Sequence, residues 1–252
     1  MIYLYAITEE LQAPLEALRG VDYAPLSYMH HDGLTAVASH IGEWGLNPTP
    51  RRLWQHEQVV EALMTVYPVL PVRFSTIFPD ETSVLDRLEA FNETYENDLD
   101  RLRGCVELSL RVIRLWEPYA GGDGMVDTAS WPELAAEPKT LSADHPQNGR
   151  AVDVARRSAA LQRRSNRRRN ESLADLINRS LEGFSVDHTL TIEETSGVLI
   201  KAAYLVEQSQ LRAMQCAVRR LMRSYPNMHF LCTGPWPPYH FVDPIESIRK
   251  VA

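Results

Sequence analysis

A stretch rich in glycine and proline interrupts the otherwise regular strand and helix patterns of this 252-residue chain. Among small and polar residues it contains Gly121, Gly122 and Gly124, followed by Pro132, Pro138 and Pro146. This composition is typical of a connection between domains rather than of a helix or strand. The sequence therefore predicts two domains, residues 1–116 and 149–252, joined by a linker over residues 117–148.

The first 116 residues predict an antiparallel sheet with helices. Strand patterns occur at residues 2–8, 25–29, 34–41 and 106–115, and Asp32-Gly33 is a strong hairpin signal. Helical patterns occur at residues 9–19, 50–67 and 81–103, and Thr49 is a candidate N-cap for the second. The order β-α-β-β-α-(α)-β predicts a ferredoxin-like sandwich, in which the helices cover one face of the sheet.

The second half predicts a related arrangement. A long helix at residues 149–182 precedes two strands near residues 186–192 and 198–206, an amphipathic helix at 208–224 and a strand at 228–232. This α-β-β-α-β order predicts a modified ferredoxin-like domain. The fold class is therefore α+β, with two domains.

Composition and cysteine usage indicate a soluble cytoplasmic protein. The formal net charge is −7, which does not favour a binder of the phosphate backbone. Cys105, Cys216 and Cys232 are odd in number and far apart, so neither a disulfide framework nor a zinc site is indicated. No apolar run approaches the roughly 20 residues that span a bilayer, and residues 1–7 are interpreted as a strand rather than a signal peptide.

The chain lacks the usual signatures of catalysis. A Gly-x-Ser-x-Gly elbow, a Walker loop and a Gly-x-Gly-x-x-Gly fingerprint are all absent from the sequence. The sequence therefore predicts a non-catalytic protein without a cofactor.

His56 and Arg73 are predicted to be structural. His56 stands near Glu57 and Glu61, but the zinc-helix pattern needs a second histidine where this chain has Val60. We therefore interpret His56 as a packed core histidine. Arg73 lies in an apolar segment and is predicted to tie together neighbouring carboxylates or carbonyls, with an anion site as the alternative.

The long helix of the second half carries a basic stripe. Six arginines fall within about 140° of the helical wheel: Arg156, Arg157, Arg163, Arg164, Arg167 and Arg168. The opposite side holds Ala155, Ala159, Leu173, Leu176 and Ile177. Such a stripe is either a solvated face or, on an acidic protein, a surface that steers an acidic partner. Both interpretations stay open.

Residues 233–242 form the most distinctive motif. Pro235, Pro237 and Pro238 hold the backbone extended, while Trp236 and Tyr239 supply large apolar surfaces. The motif predicts either a strap that seals the second domain against its neighbour, which we favour, or an exposed aromatic patch for a partner.

With these residues in view, the chain resembles the GvpF/GvpL family of gas vesicle proteins. The two most specific segments are Leu70–Phe74 (LPVRF) and Gly234–Tyr239 (GPWPPY). Weaker likenesses occur at residues 3–7, 104–108 and 202–206 and in the helix around His56. The chain departs from the family where it has Ser75 in place of the more usual glycine and His240 in place of serine. It also has Val152-Asp153-Val154 where a tyrosine-leucine pair is usual.

The resemblance implies a non-catalytic accessory protein with an N-terminal ferredoxin-like part. It implies binding to the small shell protein GvpA and to other accessory proteins during gas vesicle assembly, and association with the vesicle. The basic stripe, Trp236 and Tyr239 are the predicted partner-binding residues.

Two further hypotheses concern other classes of protein function. The first is a tandem ferredoxin-like protein that binds haem or another small molecule, with His56 or His188 as the axial ligand. The second is an RNA-binding module that uses the arginine helix. Nucleic acid is not the expected partner, because no aromatic-rich strand accompanies the basic residues.

Overall fold

The structure is a computed structural model, and it describes residues 1–13, 15, 17–42, 45–114, 148–193 and 198–245. Its first part contains strands β1 (Ile2–Glu9), β2 (Leu26–His31), β3 (Leu34–His40), β4 (Val69–Pro71) and β5 (Ile77–Phe78). It also contains helices α1 (Pro50–Met64), α2 (Glu81–Ala90) and α3 (Asn92–Leu102). Thr49 caps α1 as predicted, because its side-chain oxygen accepts from the backbone N–H of Arg52.

The first sheet has the strand order β2-β3-β1-β4, with β5 also paired to β1, and all pairings are antiparallel. Asp32 and Gly33 turn the predicted hairpin with positive φ angles of 40° and 81°. β4 and β5 together form one interrupted edge strand beside β1. The strand order agrees with the ferredoxin-like prediction.

Helices cover both faces of this sheet, so the prediction of one covered face was wrong. α1 packs with Tyr3 and Tyr5 on one side, whereas α2 and α3 pack with Leu4 and Ile7 on the other. β1 is apolar along Ile2–Ile7 without interruption, and such runs are typical of strands that are buried on both faces.

The helix predicted at residues 9–19 does not form in the described part of that segment. Pro14 has no N–H to donate. The backbone N–H groups of Gln12 and Leu15 donate instead to the hydroxyls of Tyr67 and Tyr28. The helix predicted at 81–103 is divided into α2 and α3 at Phe91, whose backbone (φ −124°, ψ 18°) leaves the helical region.

The second sheet contains β6 (Cys105–Arg114), β7 (Asp187–Ile192), β8 (Val198–Glu207) and β9 (Met228–Trp236). Its order is β7-β8-β6-β9, again antiparallel. α4 (Asn148–Leu181) and α5 (Leu211–Ser224) pack together on one face, where Ile177 and Leu221 share a core with Tyr204. The chain order in this part is β-α-β-β-α-β.

The predicted first domain, residues 1–116, included β6 as its last strand, and this placement was wrong. β6 pairs with β8 and β9, so both of its described strand partners belong to the second sheet. It supplies the strand that the predicted α-β-β-α-β order lacked. The predicted linker over 117–148 lies outside the described residues except for Asn148, where α4 begins.

One of the apolar clusters contains residues from both sheets. Ala203 and Leu205 of β8 and Phe241 of the tail belong to the same buried cluster as Leu4 and Leu99 of the first part. The halves therefore pack through β8 and the tail. Among the described residues, no helix is both long and apolar enough to cross a membrane.

Candidate functional site

The proline-rich tail leaves β9 and crosses to the first half of the molecule. Pro237 and Pro238 are buried. Phe241 is 8% exposed and belongs to the apolar cluster that contains residues of both sheets. The Tyr239 hydroxyl donates to Glu57 Oε1 over 3.1 Å and lies 3.3 Å from His56 Nε2. The tail thus places its tyrosine directly on α1, which is the geometry expected of a strap.

His56 lies at the centre of this contact and is 1% exposed. Its Nε2 is 2.9 Å from the Val72 carbonyl, which can only accept, so Nε2 carries the proton. Nδ1 therefore accepts from the Tyr3 hydroxyl at 2.9 Å, and that hydroxyl accepts in turn from the Ser75 N–H. Both imidazole nitrogens are occupied, and the ring joins β1, α1 and the segment after β4.

Burial sets the protonation of this cluster. It lowers the pKa of His56 from 6.5 to about 4, so the imidazole is neutral at neutral pH. Burial also raises the pKa of Glu57 and, together with the nearby Glu57 carboxylate, the pKa of Tyr239. The Tyr239 hydroxyl therefore stays protonated and donates a hydrogen bond to the Glu57 carboxylate.

The depressed pKa of His56 predicts a stability that falls in mild acid. Between pH 6.5 and about 4 the unfolded chain binds a proton that the folded chain excludes, so stability is lost as pH falls through this window. We expect the free energy of unfolding to drop by about 2 kcal/mol between pH 7.5 and 5 from this group. Urea unfolding at several pH values measures the slope.

Two variants separate His56 from the other histidines. His56→Gln is expected to flatten this part of the pH profile, whereas His188→Gln, at an exposed position, is expected to retain it. An equal slope in wild type and His56→Gln would show that the titrating group lies elsewhere.

A second polar contact ties the tail to β6. Glu107 is 3% exposed; its Oε2 accepts from the His240 N–H at 3.0 Å, and its Oε1 accepts from His240 Nδ1 at 2.7 Å. Side chains alternate along β6, so Glu107 lies on the opposite face of the strand from Val106 and Leu108. That face is covered by the tail, so the carboxylate is buried and paired rather than solvated.

The two predicted aromatic residues of the tail have different surroundings. Tyr239 is engaged with His56 and Glu57, whereas Trp236 is 41% exposed and its Nε1 donates to Thr233 Oγ1 at 3.2 Å. Of the two, Trp236 offers the larger free surface to a partner.

Arg73 does not make the predicted tie through its side chain. The guanidinium is exposed, and no ion pair joins it to any residue within the described ranges. Its backbone carbonyl instead accepts from the N–H and Oγ1 of Thr76. The reason is the interruption between β4 and β5, where the chain turns outward and carries the side chain into solvent.

The backbone conformation of Ser75 explains why glycine is the more usual residue at this position. Its φ is +68°, in the left-handed region that favours glycine. A Ser75→Gly change is expected to raise the free energy of unfolding by about 1 kcal/mol, because it removes the Cβ strain while the N–H still reaches Tyr3. Urea midpoints measure the gain.

Ser185→Gly serves as the matched control for this substitution. The φ of Ser185 is −120°, so glycine there relieves no strain and should destabilise by about 0.5 kcal/mol. A loss of stability in Ser75→Gly as well would contradict the strain argument.

The structure describes the side chains of only three of the six arginines of the basic stripe. Arg164, Arg167 and Arg168 are exposed on α4, and Arg167 pairs with Glu171 at 2.9 Å. The side chains of Arg156, Arg157 and Arg163 lie outside the described part of the structure. Of the predicted apolar side, Ile177 is buried but Leu176 is 41% exposed.

The haem hypothesis meets a physical difficulty at both histidines. His56 has no free nitrogen for an iron, since both are hydrogen bonded. His188 is exposed and stacks on Tyr204 beside a groove of about 400 Å³ that is lined by Asp98, Arg101, Asp187 and Asp243. Charged walls do not suit an apolar macrocycle. In the described ranges, no cluster of three or more His, Cys, Asp or Glu side chains is arranged to hold a metal ion.

A family model described as "Gas vesicle synthesis protein GvpL/GvpF" matches residues 1–243 of this chain. The chain belongs to the GvpL/GvpF family. The match includes both sheets and the tail, so the resemblance seen in LPVRF and GPWPPY is confirmed. This family is one of gas vesicle proteins, not a known family of enzymes.

Relatives match over nearly the whole chain. Gas vesicle protein L of a Streptomyces species is 29% identical, covering 97% of this chain and 94% of the relative. Gas vesicle protein F2 of Halobacterium salinarum is 24% identical, covering 96% and 92%. These members of the GvpL/GvpF family support a gas vesicle role for this chain.

Solved GvpF structures confirm the fold. The crystal structure of GvpF from Anabaena sp. PCC7120 superposes with a TM-score of 0.72 at 19% identity, covering 98% of each chain. GvpF from Microcystis aeruginosa superposes with a TM-score of 0.68 at 20% identity, covering 95% of this chain and 98% of the other. The predicted α+β class with two antiparallel sheets is therefore confirmed.

Sequence reasoning missed two residues of the strap contact. Glu57 was set aside with the zinc pattern, and Glu107 was not singled out as a site residue. The one sequence signal for Glu107 was its position in a strand where it alternates with apolar residues. Alternation alone does not reveal that a tail covers the second face.

Proposed function

We propose that this chain is a non-catalytic accessory protein that takes part in gas vesicle assembly by binding the shell protein GvpA and other accessory proteins. The observation that carries the proposal is the match of residues 1–243 to a family of gas vesicle synthesis proteins. We further propose that it acts in the cytoplasm and in association with the vesicle.

The physical need for such a protein supports this role. A shell protein that lines a gas space exposes apolar surface before it assembles, and exposed apolar surface aggregates. An accessory protein can prevent this by covering the surface until the wall accepts the subunit. Binding of that kind needs an apolar contact area and no catalytic group.

A groove beside β9 supports the proposal with a suitable surface. Among the described strands, β9 pairs only with β6, so it lies at the edge of the sheet. Between β9 and α5 lies a groove of about 400 Å³ whose walls include Val218, Met222, Phe230 and Leu231. Met222 is 40% and Leu231 42% exposed. An unpaired strand edge with apolar side chains next to it suits an extended apolar segment of the shell protein.

The basic stripe and Trp236 are the other surfaces that we propose for partners. Arg164 and Arg168 are exposed, and Trp236 lies at the end of β9, so it extends the same edge. An arginine face would orient a partner of opposite charge.

Co-expression with the shell protein tests the proposal. The tagged chain is produced together with GvpA, and a soluble complex that purifies on the tag is the expected result. A double change, Met222→Lys with Leu231→Lys, is expected to reduce recovered shell protein by about tenfold, because two charges in the groove oppose an apolar segment.

Val186→Lys is the matched control. Val186 is also exposed, at 54%, but it lies beside β7 at the opposite edge of the sheet. It should leave recovery unchanged. If the shell protein aggregates while this chain purifies alone, direct shell binding is wrong.

A further inference from the structure

The helices of the two halves carry opposite charge. α2 and α3 together contain seven Asp and Glu residues and two arginines. α5 contains four arginines and no acidic residue, and α4 contains nine arginines and three acidic residues. The modest net charge of the chain therefore conceals an acidic helical layer on one sheet and a basic helical layer on the other.

Much of the acidic layer has no ion-pair partner among the residues that the structure describes. Asp86, Glu89, Glu93 and Glu96 are exposed, and none of them forms an ion pair with a described residue. The remaining acidic side chains of these helices have local partners: Glu81 lies 3.1 Å from His40 Nε2, Asp98 pairs with Arg101 and Asp100 pairs with Arg103. We call the four unpaired residues the acidic face.

The basic layer is unpaired in the same sense. Seven exposed arginines form no ion pair with any carboxylate in the described ranges: Arg164, Arg168 and Arg169 on α4, and Arg212, Arg219, Arg220 and Arg223 on α5. Arg219 contacts the Cys216 thiol, and Arg223 Nε donates to the Arg219 carbonyl. Both of these partners are uncharged, so neither arginine is neutralised by them. We call these seven residues the basic face.

The strand directions bring the arginines of the two helices together. β6 and β7 both run opposite to β8, and β9 runs opposite to β6, so α4 and α5 are antiparallel neighbours on one side of the sheet. Arg168 lies 13 residues before the end of α4, about 20 Å along it. Arg223 lies 12 residues after the start of α5, at about the same level. The two helices therefore present one continuous basic surface.

We propose that copies of this chain associate head to tail, with the acidic face of one copy on the basic face of the next. Neither face can pair with its own kind, because like charges repel. In the proposed arrangement each contact uses the acidic face of one copy and the basic face of its neighbour, so it is heterologous and repeats from copy to copy, forming a ring or a filament. This association does not rest on shell binding.

Charge complementarity identifies the occupant as a second copy. A nucleic acid would use the basic face, leave the acidic face without a partner and be repelled by it. A second copy uses both faces at once. Because the paired charges are exposed and the faces are polar, we expect a weak contact. Salt screens exposed charges over about 8–10 Å at physiological ionic strength, so the contact is also sensitive to salt.

Sedimentation velocity of the purified chain, treated with nuclease, tests the proposal. At about 20 mM salt the mean mass is expected to rise with protein concentration, and at about 500 mM salt it is expected to return to that of a monomer. A single monomeric species at low salt and high protein concentration would overturn the proposal. Association that disappears on nuclease treatment would overturn it too.

Charge reversal makes the test specific. One variant reverses the basic face (Arg164→Glu, Arg168→Glu, Arg220→Glu and Arg223→Glu), and another reverses the acidic face (Glu89→Arg, Glu93→Arg and Glu96→Arg). Each alone is expected to weaken self-association by at least about tenfold. Mixed together they should associate again, because one then carries two acidic faces and the other two basic faces.

The mixture excludes misfolding as the cause, since two misfolded variants would not restore each other. Arg111→Glu, at an exposed position on β6, is the control and should associate as the wild type does. If the mixed variants stay apart, or if reversing the acidic face has no effect, the head-to-tail contact is wrong.

Discussion

Replacing His56 by alanine is expected to lower the free energy of unfolding by about 4 kcal/mol. The imidazole is fully buried and packs against the rings of Tyr3, Tyr5 and Phe74, so its removal leaves a cavity. The Val72 carbonyl loses its donor and the Tyr3 hydroxyl loses its acceptor. Each unpaired buried group adds to the cost of the cavity.

Thermal and urea unfolding measure this loss, and a fall of about 10 °C in Tm is expected for a chain of this size. His188→Ala is the control, because that histidine is exposed and should change stability by less than about 0.5 kcal/mol. A loss below about 1.5 kcal/mol in His56→Ala would mean that the network contributes little.

Gly20→Ala is expected to cost about 3 kcal/mol or more, although its backbone has an ordinary φ of −81°. A Cβ on Gly20 would lie 1.9 Å from the Tyr5 hydroxyl and 2.7 Å from Ser39 Oγ. That hydroxyl accepts from the Val21 N–H and donates to Ser39 Oγ, which donates to the Pro25 carbonyl. The ring is fully buried and cannot move aside without breaking this chain of hydrogen bonds.

Gly183→Ala is the matched control for Gly20→Ala. A Cβ there meets no atom within 4 Å, so the change should be neutral or slightly stabilising. Urea midpoints of the two variants give the comparison. Equal midpoints would show that the space around Tyr5 adapts to the extra methyl group.

Both predictions concern the tyrosines that β1 presents to α1. Tyr3 bonds His56, and Tyr5 bonds the backbone beside Gly20, so one strand organises two polar networks within an apolar core. Through His56 and Glu57 the first network also receives Tyr239 of the tail. A defect on β1 would therefore be felt in the contact between the two halves of the molecule.

Local patterns in the sequence identified most elements correctly. The Asp32-Gly33 turn, the Thr49 cap and the amphipathic α5 each depend on residues close in the chain, so no distant partner determines them. The LPVRF and GPWPPY segments likewise identified the family from residues alone. The burial of His56 was predicted too, because its place on the apolar face of α1 implied it.

The failures share one cause. In the described part of residues 9–19, the predicted helix is absent and backbone N–H groups bond the hydroxyls of Tyr67 and Tyr28, which lie outside that segment. Arg73 was predicted to make ties within the apolar segment, but the break between β4 and β5 turns it outward. In both places a contact or a bend set by distant residues overrode the local pattern.

The sequence by itself determined the class of fold, the positions of the main helices and strands, and the family. Only the tertiary structure decided which sheet receives β6 and what covers Glu107. An alternating pattern shows that a strand has two unlike faces, but it does not name the neighbours that pair with its edges or the segment that covers each face. Those neighbours lie up to 133 residues away in the chain and are selected by the packing of the whole chain.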